Sequence, residues 1–402
     1  MLRLTCSSAL AAVLLLSAGQ APAQGQRTTG PVATYWVTVR TSSGLPTGGA
    51  GFNPMAMMSG GGVQKSLSLQ LQSERTAASP DAGHQPPQGL GTGILPLVTP
   101  RDHPAPPPSD FTPPSRGDGG RVRMLIYHGC GESTGSGQPL VIEISTDDPA
   151  RGASQMAALM EAVRVSPETP PSPGAGRTYG EWPNERSSQA IPANGSLVGD
   201  HLVRGNYTPD IAFRLGADQD FMDPVQLTGV ADGGPLGWHA VGGARGYFAM
   251  TMGSNEAGDM VVWTSSEVPV SFGQIPDILS PADVERLIRQ GVVLPASTTR
   301  CPIPGAVQTA APESMLRVIA FGGEANFSYP PRPNSARETW NIEHVVKVRY
   351  TSGVTTMLGM DMSDLADEDG RSRERETPDS RQRSPDPADA LRSVLGGLIR
   401  RR

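Results

Sequence analysis

Residues 33–41 read Ala-Thr-Tyr-Trp-Val-Thr-Val-Arg-Thr, and that run decides the fold class. β-Formers alternate with polar residues, the signature of a half-buried strand. Val63 to Leu71 (VQKSLSLQL) keeps the same period, with Leu67, Leu69 and Leu71 on one face. A Gly/Met-rich connection, Gly44 to Gly62, separates the two. Working outward, strands are predicted at Arg121–Tyr127 and Gln138–Ser145 around a Gly/Ser turn. Short strands then recur between Ser196 and Ser265, and again at Met315–Phe321 and Ile342–Tyr350. The expectation is a mainly β fold with one or two β-sandwich-like units. Two short helices complete it. Ala153–Val165 carries Met156, Leu159, Met160 and Val163 at helical spacing, and Ser280-Pro281 with Asp283 caps a second helix that Gly291 ends. Val37 to Gly44 also echoes Val346 to Gly353 (VTVRTSSG against VKVRYTSG), a strand-then-turn pattern common enough to arise by coincidence.

Composition limits how much of the chain can pack. Its 48 glycines and 39 prolines in 402 residues sit just under the level at which low-complexity disorder becomes the default. Residues 78–120 are dominated by Pro, Gly and Asp and read as a Pro-rich loop. Residues 166–195 are a second loop-like stretch holding Tyr179 and Trp182, which would pack locally or stack on a sugar. The organisation expected is a signal peptide at 1–23, a β-rich region at 24–195 and another at 196–362. A charged, disordered tail follows at 363–402, with 9 acidic residues, 9 arginines and no aromatics. Within that tail Leu391, Val394, Leu395, Leu398 and Ile399 fall on one side of a short terminal helix, so Leu391, Leu395, Leu398 and Ile399 are candidates for docking to a partner. Gly396 and Gly397 each weaken the helix by roughly 1 kcal/mol relative to Ala, and a lone helix this short is marginal in water.

The first 23 residues combine Arg3, an apolar stretch from Ala9 to Leu16 and the small-x-small site Ala21-Pro22-Ala23, which predicts export. The apolar run is too short to span a bilayer, and no transmembrane segment is expected elsewhere. Periplasmic or extracellular residence follows. Cys130 and Cys301 remain after cleavage, and an even pair in an exported chain favours a disulfide. Closing so long a loop would stabilise the fold by about 4–5 kcal/mol before strain. A net charge of −6 gives no electrostatic case for nucleic acid. Only Lys65 and Lys347 are lysines, which argues against lysine-linked cofactor chemistry, and no cofactor is expected.

Leu236-Gly237-Trp238-His239-Ala240-Val241-Gly242-Gly243-Ala244-Arg245-Gly246-Tyr247 resembles the second and third strands of fibronectin type III-like domains. A strand ends in a Trp, a short turn follows, and a Tyr sits on the next strand. The resemblance implies an immunoglobulin-like sandwich in which Trp238 fills the centre and Tyr247 packs beside it, with Trp263 another core aromatic. It covers a small part of the chain and implies no activity.

Three chemistries compete with a non-catalytic role. Gly131-Glu132-Ser133-Thr134-Gly135 matches G-x-S-x-G, which would make Ser133 the nucleophile of a serine esterase-type hydrolase with His201, His239 or His344 as base. The residues after it read as turn and strand, where a nucleophile elbow needs a helix. Met55, Met57 and Met58 offer soft thioether ligands for Cu(I), with no His or Cys beside them. Asp218, Asp220 and Asp223 lack the ligand spacing of a calcium loop, and Asp367, Asp369, Gly370 and Glu376 match one with Leu365 in the first ligand position. The sequence therefore predicts an exported, non-catalytic binding or structural protein of the cell envelope or extracellular space, with a protein partner there.

Overall fold

The computed structural model describes residues 26–45, 62–100, 121–145, 148–165, 167–230 and 234–359. The expected signal peptide, Met55, Met57, Met58, the second calcium-like segment and the tail with Leu391, Leu395, Leu398 and Ile399 lie outside them. The first strands are β1 (Thr28–Thr29), β2 (Ala33–Gly44), β3 (Gln64–Ser73), β4 (Ala82–Gln85), β5 (Leu95–Leu97), β6 (Arg121–His128) and β7 (Leu140–Ser145). Helix α1 (Pro149–Ala162) follows, then β8 (Thr178–Trp182), β9 (Gly199–Gly205), β10 (Ile211–Leu215), β11 (Leu227–Thr228), β12 (Gly237–Trp238), β13 (Gly246–Ser254) and β14 (Met260–Thr264). The remainder is α2 (Pro281–Arg289), β15 (Leu294–Pro295), α3 (Gly305–Ala310), β16 (Ser314–Tyr329), β17 (Trp340–Asn341) and β18 (His344–Leu358).

The protein is mainly β, as the alternation predicts. A mixed sheet runs in the order β7-β6-β14-β13-β16-β18-β2-β3-β8, with β15 beside β13. In its interior β2 and β18 pair in parallel from Ala33↔His344 to Gly44↔Thr355. The two echoing segments are therefore neighbours, but Val37 pairs with Val348 and not with Val346, so the echo and the register differ by two residues. One face of this sheet buries Tyr35, Val37, Val39, Leu67, Leu69, Leu71, Val346 and Val348. A second sheet, β10-β9-β4-β5, contributes Leu95, Leu97, Val203, Ile211, Phe213 and Leu215 to the same core. The two sheets meet at a corner, where Val98 and Glu181 exchange backbone hydrogen bonds of 3.1 and 3.0 Å. Strands from before and after residue 195 interleave, and the described residues through Leu358 form one compact unit.

On the other face α2 buries Val284 and Leu287 against Phe248, Met250, Ile319 and Phe321. Ser280 caps α2 as expected, its side chain accepting from the Asp283 backbone N–H. Gly291 stands just beyond at φ 69°, the left-handed geometry that ends helices. Helix α1 packs Leu159 on Ile126, Ile142 and Val262, and begins from an Asp148 cap that accepts from the Arg151 N–H. A third helix was not expected. The six residues of α3 are too few to show a period, and it starts straight after Pro304.

Two loop-like stretches hold strands. Within 78–120, β4 and β5 pair with each other, and β4 joins β9. Pro96 is tolerated because β5 is the last strand of its sheet, where a missing N–H removes no ladder bond. Within 166–195, β8 adds to the far edge of the long sheet. Tyr179 and Trp182 sit on β8 with buried rings, the first donating to Glu181 Oε2 and the second to Ser187 Oγ, so neither presents a face to a sugar. The corner needs Gly180. A Cβ there would lie 3.0 Å from the Leu97 carbonyl oxygen and drive into the Tyr207 hydroxyl. Gly180→Ala is expected to destabilise the protein by about 1–3 kcal/mol in urea unfolding, as overpacking at a closed site does. Gly93→Ala, with nothing within 4 Å of its Cβ position, should stay within about 1 kcal/mol of wild type.

Candidate functional site

The sequence Gly129 to Gly137 links β6 to β7, and its conformation follows from its composition. Gly129 and Gly137 take φ of 93° and 81°, which side-chain-bearing residues rarely adopt, so the chain can reverse at both ends. Gln138 closes the base: its side-chain oxygen accepts from the His128 N–H at 2.9 Å, and its side-chain amide donates to the His128 carbonyl at 3.0 Å. Cys130 bonds to Cys301, 171 residues away, with Cα atoms 4.7 Å apart. Around this staple the Gly131 N–H donates to the Pro302 carbonyl, the Gly305 N–H donates to the Glu132 carbonyl, and Trp263 Nε1–H donates to the Gly129 carbonyl. A Gly-rich turn is thus pinned to the start of α3. It still leaves Glu132, Ser133, Gly135 and Ser136 exposed.

Ser133 stands in this turn, followed by strand β7 and not by the helix that a nucleophile elbow requires. The structure brings none of the three proposed bases to it by a hydrogen bond among the described residues. His239 is exposed beyond β12, His344 is buried and stacked on Tyr329, and His201 belongs to a different network. Asp220, of the first calcium-like group, is committed to the chain itself, accepting from Ser196 Oγ and from the Leu197 and Phe221 N–H groups. No cluster of three or more His, Cys, Asp or Glu able to hold a metal occurs among the described residues. Trp238 and Tyr247 do pack together, ring centroids 5.3 Å apart, and Tyr247 Oη accepts from the Val241 N–H. The strand ending in Trp238 is two residues long and pairs with β11. Compared with known proteins, the chain matches no family model, no curated protein and no solved structure.

Tyr35, His84 and His201 form the network that sequence reasoning missed. Tyr35 Oη meets His84 Nδ1, His84 Nε2 meets His201 Nδ1 at 3.0 Å, and His201 Nε2 meets the Leu197 carbonyl at 2.7 Å. The direction of every proton follows from the last acceptor. A carbonyl can only accept, so His201 donates from Nε2 and is left with an acceptor at Nδ1; His84 then donates from Nε2, and Tyr35 donates to His84 Nδ1. Each ring needs one proton only. Burial holds His84 well below the usual imidazole range, with His201 adding to it. Burial also lowers His201, against the opposing bond to Leu197. The Tyr35 hydroxyl is pushed well up by burial.

This sets a sign for acid stability. Both imidazoles stay neutral in the fold, whereas the unfolded chain takes up protons near the ordinary value of 6.5. Stability from these groups is complete above that value and is lost as pH falls below it, with a slope approaching about 2–3 kcal/mol per pH unit for two histidines. Urea unfolding as a function of pH should show this fall. The double variant His84→Gln/His201→Gln should make it shallower, whatever its cost at neutral pH, with a remainder from His128 and His344, which burial also lowers. A wild-type profile that stays level down to about pH 4.5 would contradict the neutral chain.

Proposed function

We propose that this chain is an exported, non-catalytic binding or structural protein of the cell envelope or extracellular space, presenting the pinned β6–β7 turn to a protein partner. The observation that carries the reading is the stapled turn itself. A glycine-rich surface loop is held by a disulfide, backbone and indole hydrogen bonds and the Gln138 clamp, yet its central side chains are exposed. Pre-ordering a loop in this way removes the entropy cost that binding would otherwise have to meet. A disulfide is compatible with an oxidising compartment, and no helix of the described residues is long and apolar enough to cross a membrane. The fibronectin type III-like reading of Trp238 to Tyr247 belongs to the same proposal, because such sandwiches commonly carry binding loops at their ends. The C-terminal segment with Leu391, Leu395, Leu398 and Ile399 is the second docking element proposed.

Crosslinking and co-purification from native envelope and medium tests this. Wild type is compared with Glu132→Arg/Thr134→Arg, with Ser133→Ala and with a chain truncated after Met362. Wild type and Ser133→Ala are expected to capture one common partner. The double arginine variant should lose about tenfold or more of that capture, as replacements at the centre of an interface do. Truncation should lower it further if the tail docks. Equal capture by wild type and the arginine variant removes the turn from the interface. Hydrolysis of ester substrates that vanishes with Ser133→Ala would replace the proposal with the esterase reading.

A further inference from the structure

The outer face of β18 carries, in order, Lys347, Arg349, Thr351, Gly353 and Thr355, and its charges are answered unequally along the strand. Lys347 and Arg349 lie over the Trp36 ring at 5.0 and 4.4 Å and are paired with Glu168 and Glu324, two cations against two anions. Further along the same face the balance fails. Arg40 on β2 and Arg317 on β16 both reach one carboxylate, Asp277, at 2.6 Å each and on the same oxygen, Oδ2. Among the described residues that leaves two cations against one anion.

The floor between them is Gly353. In register, Gly353 lies between Ile319 of β16 and Ser42 of β2, while Thr351 pairs with Arg40 and Thr355 with Arg317. With no side chain at 353, a recess opens there, lined by Arg40, Ser42, Arg317, Thr351 and Thr355 and roofed by Asp277. A Cβ at this position would meet nothing closer than the Val318 carbonyl oxygen at 3.4 Å, so a larger residue would grow into the space and not into the backbone. The enclosed space is close to that of a single water, so an anion is held at its mouth, on the accessible guanidinium edges, and not inside it. Each guanidinium meets Asp277 through one terminal nitrogen, Nη1 of Arg40 and Nη2 of Arg317, and each has five N–H donors in all. Arg40 and Arg317 keep 32% and 23% of their side chains accessible.

We propose that the mouth of this recess is a binding site for a single oxyanion group, a carboxylate or phosphate, held by the unused edges of Arg40 and Arg317 with the hydroxyl of Ser42. Paired guanidinium forks are the side-chain arrangement best matched to such groups. Asp277 is then both an orienting partner and an internal competitor. Its two guanidinium contacts hold it below the usual carboxylate range although burial alone would raise it, so it stays charged at neutral pH and limits affinity. The site is separate from the pinned turn and does not depend on the role proposed for that turn.

Calorimetric titration of the mature protein with inorganic phosphate, and separately with acetate, at constant ionic strength tests the site. Saturable binding of one ion per chain at millimolar concentration is expected. Arg317→Gln and Arg40→Gln should each weaken it about tenfold, and Gly353→Val should abolish it by pushing a side chain into the mouth. Asp277→Asn should tighten binding severalfold, because it keeps both guanidiniums and removes the competing charge. This last variant decides the matter even if an arginine variant fails to fold. Tighter binding of phosphate or of acetate identifies which source of oxyanion the site prefers. No saturable binding by wild type and Asp277→Asn alike, or binding that Gly353→Val leaves intact, overturns the proposal.

Discussion

The parallel pairing of β2 with β18 is the constraint on which the rest of the molecule depends. It joins strands some three hundred residues apart in sequence, from Ala33↔His344 to Gly44↔Thr355, and it lies in the interior of the long sheet. A central strand pair presents two faces, and each must be covered or answered chemically. On the inner face valines, Tyr35 and Tyr350 meet the folded-over second sheet. On the outer face α2 covers only the β13–β16 side, where Phe248, Met250, Ile319 and Phe321 lie. Over β18 and β2 the cover is electrostatic. Arg349 is 5% and Glu324 9% exposed, so this pair is largely desolvated. Pairs of that kind contribute little net stability, but removing one partner strands the other and costs about 3–5 kcal/mol. Such a network fixes a strand's register more than it deepens the energy well.

The same logic explains the polar chain on the inner face. Tyr35 belongs to the long sheet, His84 and His201 to the second, so the chain crosses the sandwich where only apolar contact would be expected. Apolar packing tolerates small slips between sheets. A one-directional series of donors and acceptors does not, because displacing any member orphans a buried polar atom at about 1–3 kcal/mol. His201 also stacks on Phe213 at 4.7 Å, so ring orientation is set by packing as well as by hydrogen bonding. Specificity gained this way has a cost in acid, since the chain works only with both rings neutral.

How much of this was legible follows from where the signals lie. Periodicity in ATYWVTVRT and in Leu67, Leu69 and Leu71 identifies β2 and β3 because one face of each is apolar. The side-chain cap of Ser280 and the positive φ of Gly291 bound α2 because both are local effects. Strand β5 is Leu-Pro-Leu, and β8 contains Gly180. Neither carries a pattern of its own, and both exist because a neighbouring edge supplies the hydrogen bonds. The disulfide was legible by count and compartment. The turn it pins reads from sequence as a catalytic motif or as a hairpin, and only the strand after it separates the two. The Tyr35–His84–His201 chain and the Arg40–Arg317–Asp277 recess were not legible at all. Their members lie far apart in sequence, and the feature that makes the recess is a side chain that is missing, Gly353.

The position of the disulfide matters as well as its presence. In a chain-entropy account, a staple closing a loop of this length stabilises the fold by about 5 kcal/mol wherever in that loop's boundaries it falls. Stability alone therefore does not explain why it ends in an exposed glycine-rich turn, since two cysteines buried in facing strands would close as long a loop. What the chosen position adds is local. Cys301 is fully buried, in the segment leading to α3, while Cys130 is exposed within the turn, so the bond transmits the rigidity of the core outward. Three hydrogen bonds from the turn to residues 263, 302 and 305 complete the fixation. A surface loop with several glycines loses more entropy on ordering than most. Here that loss is met once, during folding, and the exposed side chains of Glu132 and Ser133 are held at the surface with little left to lose on contact with another molecule.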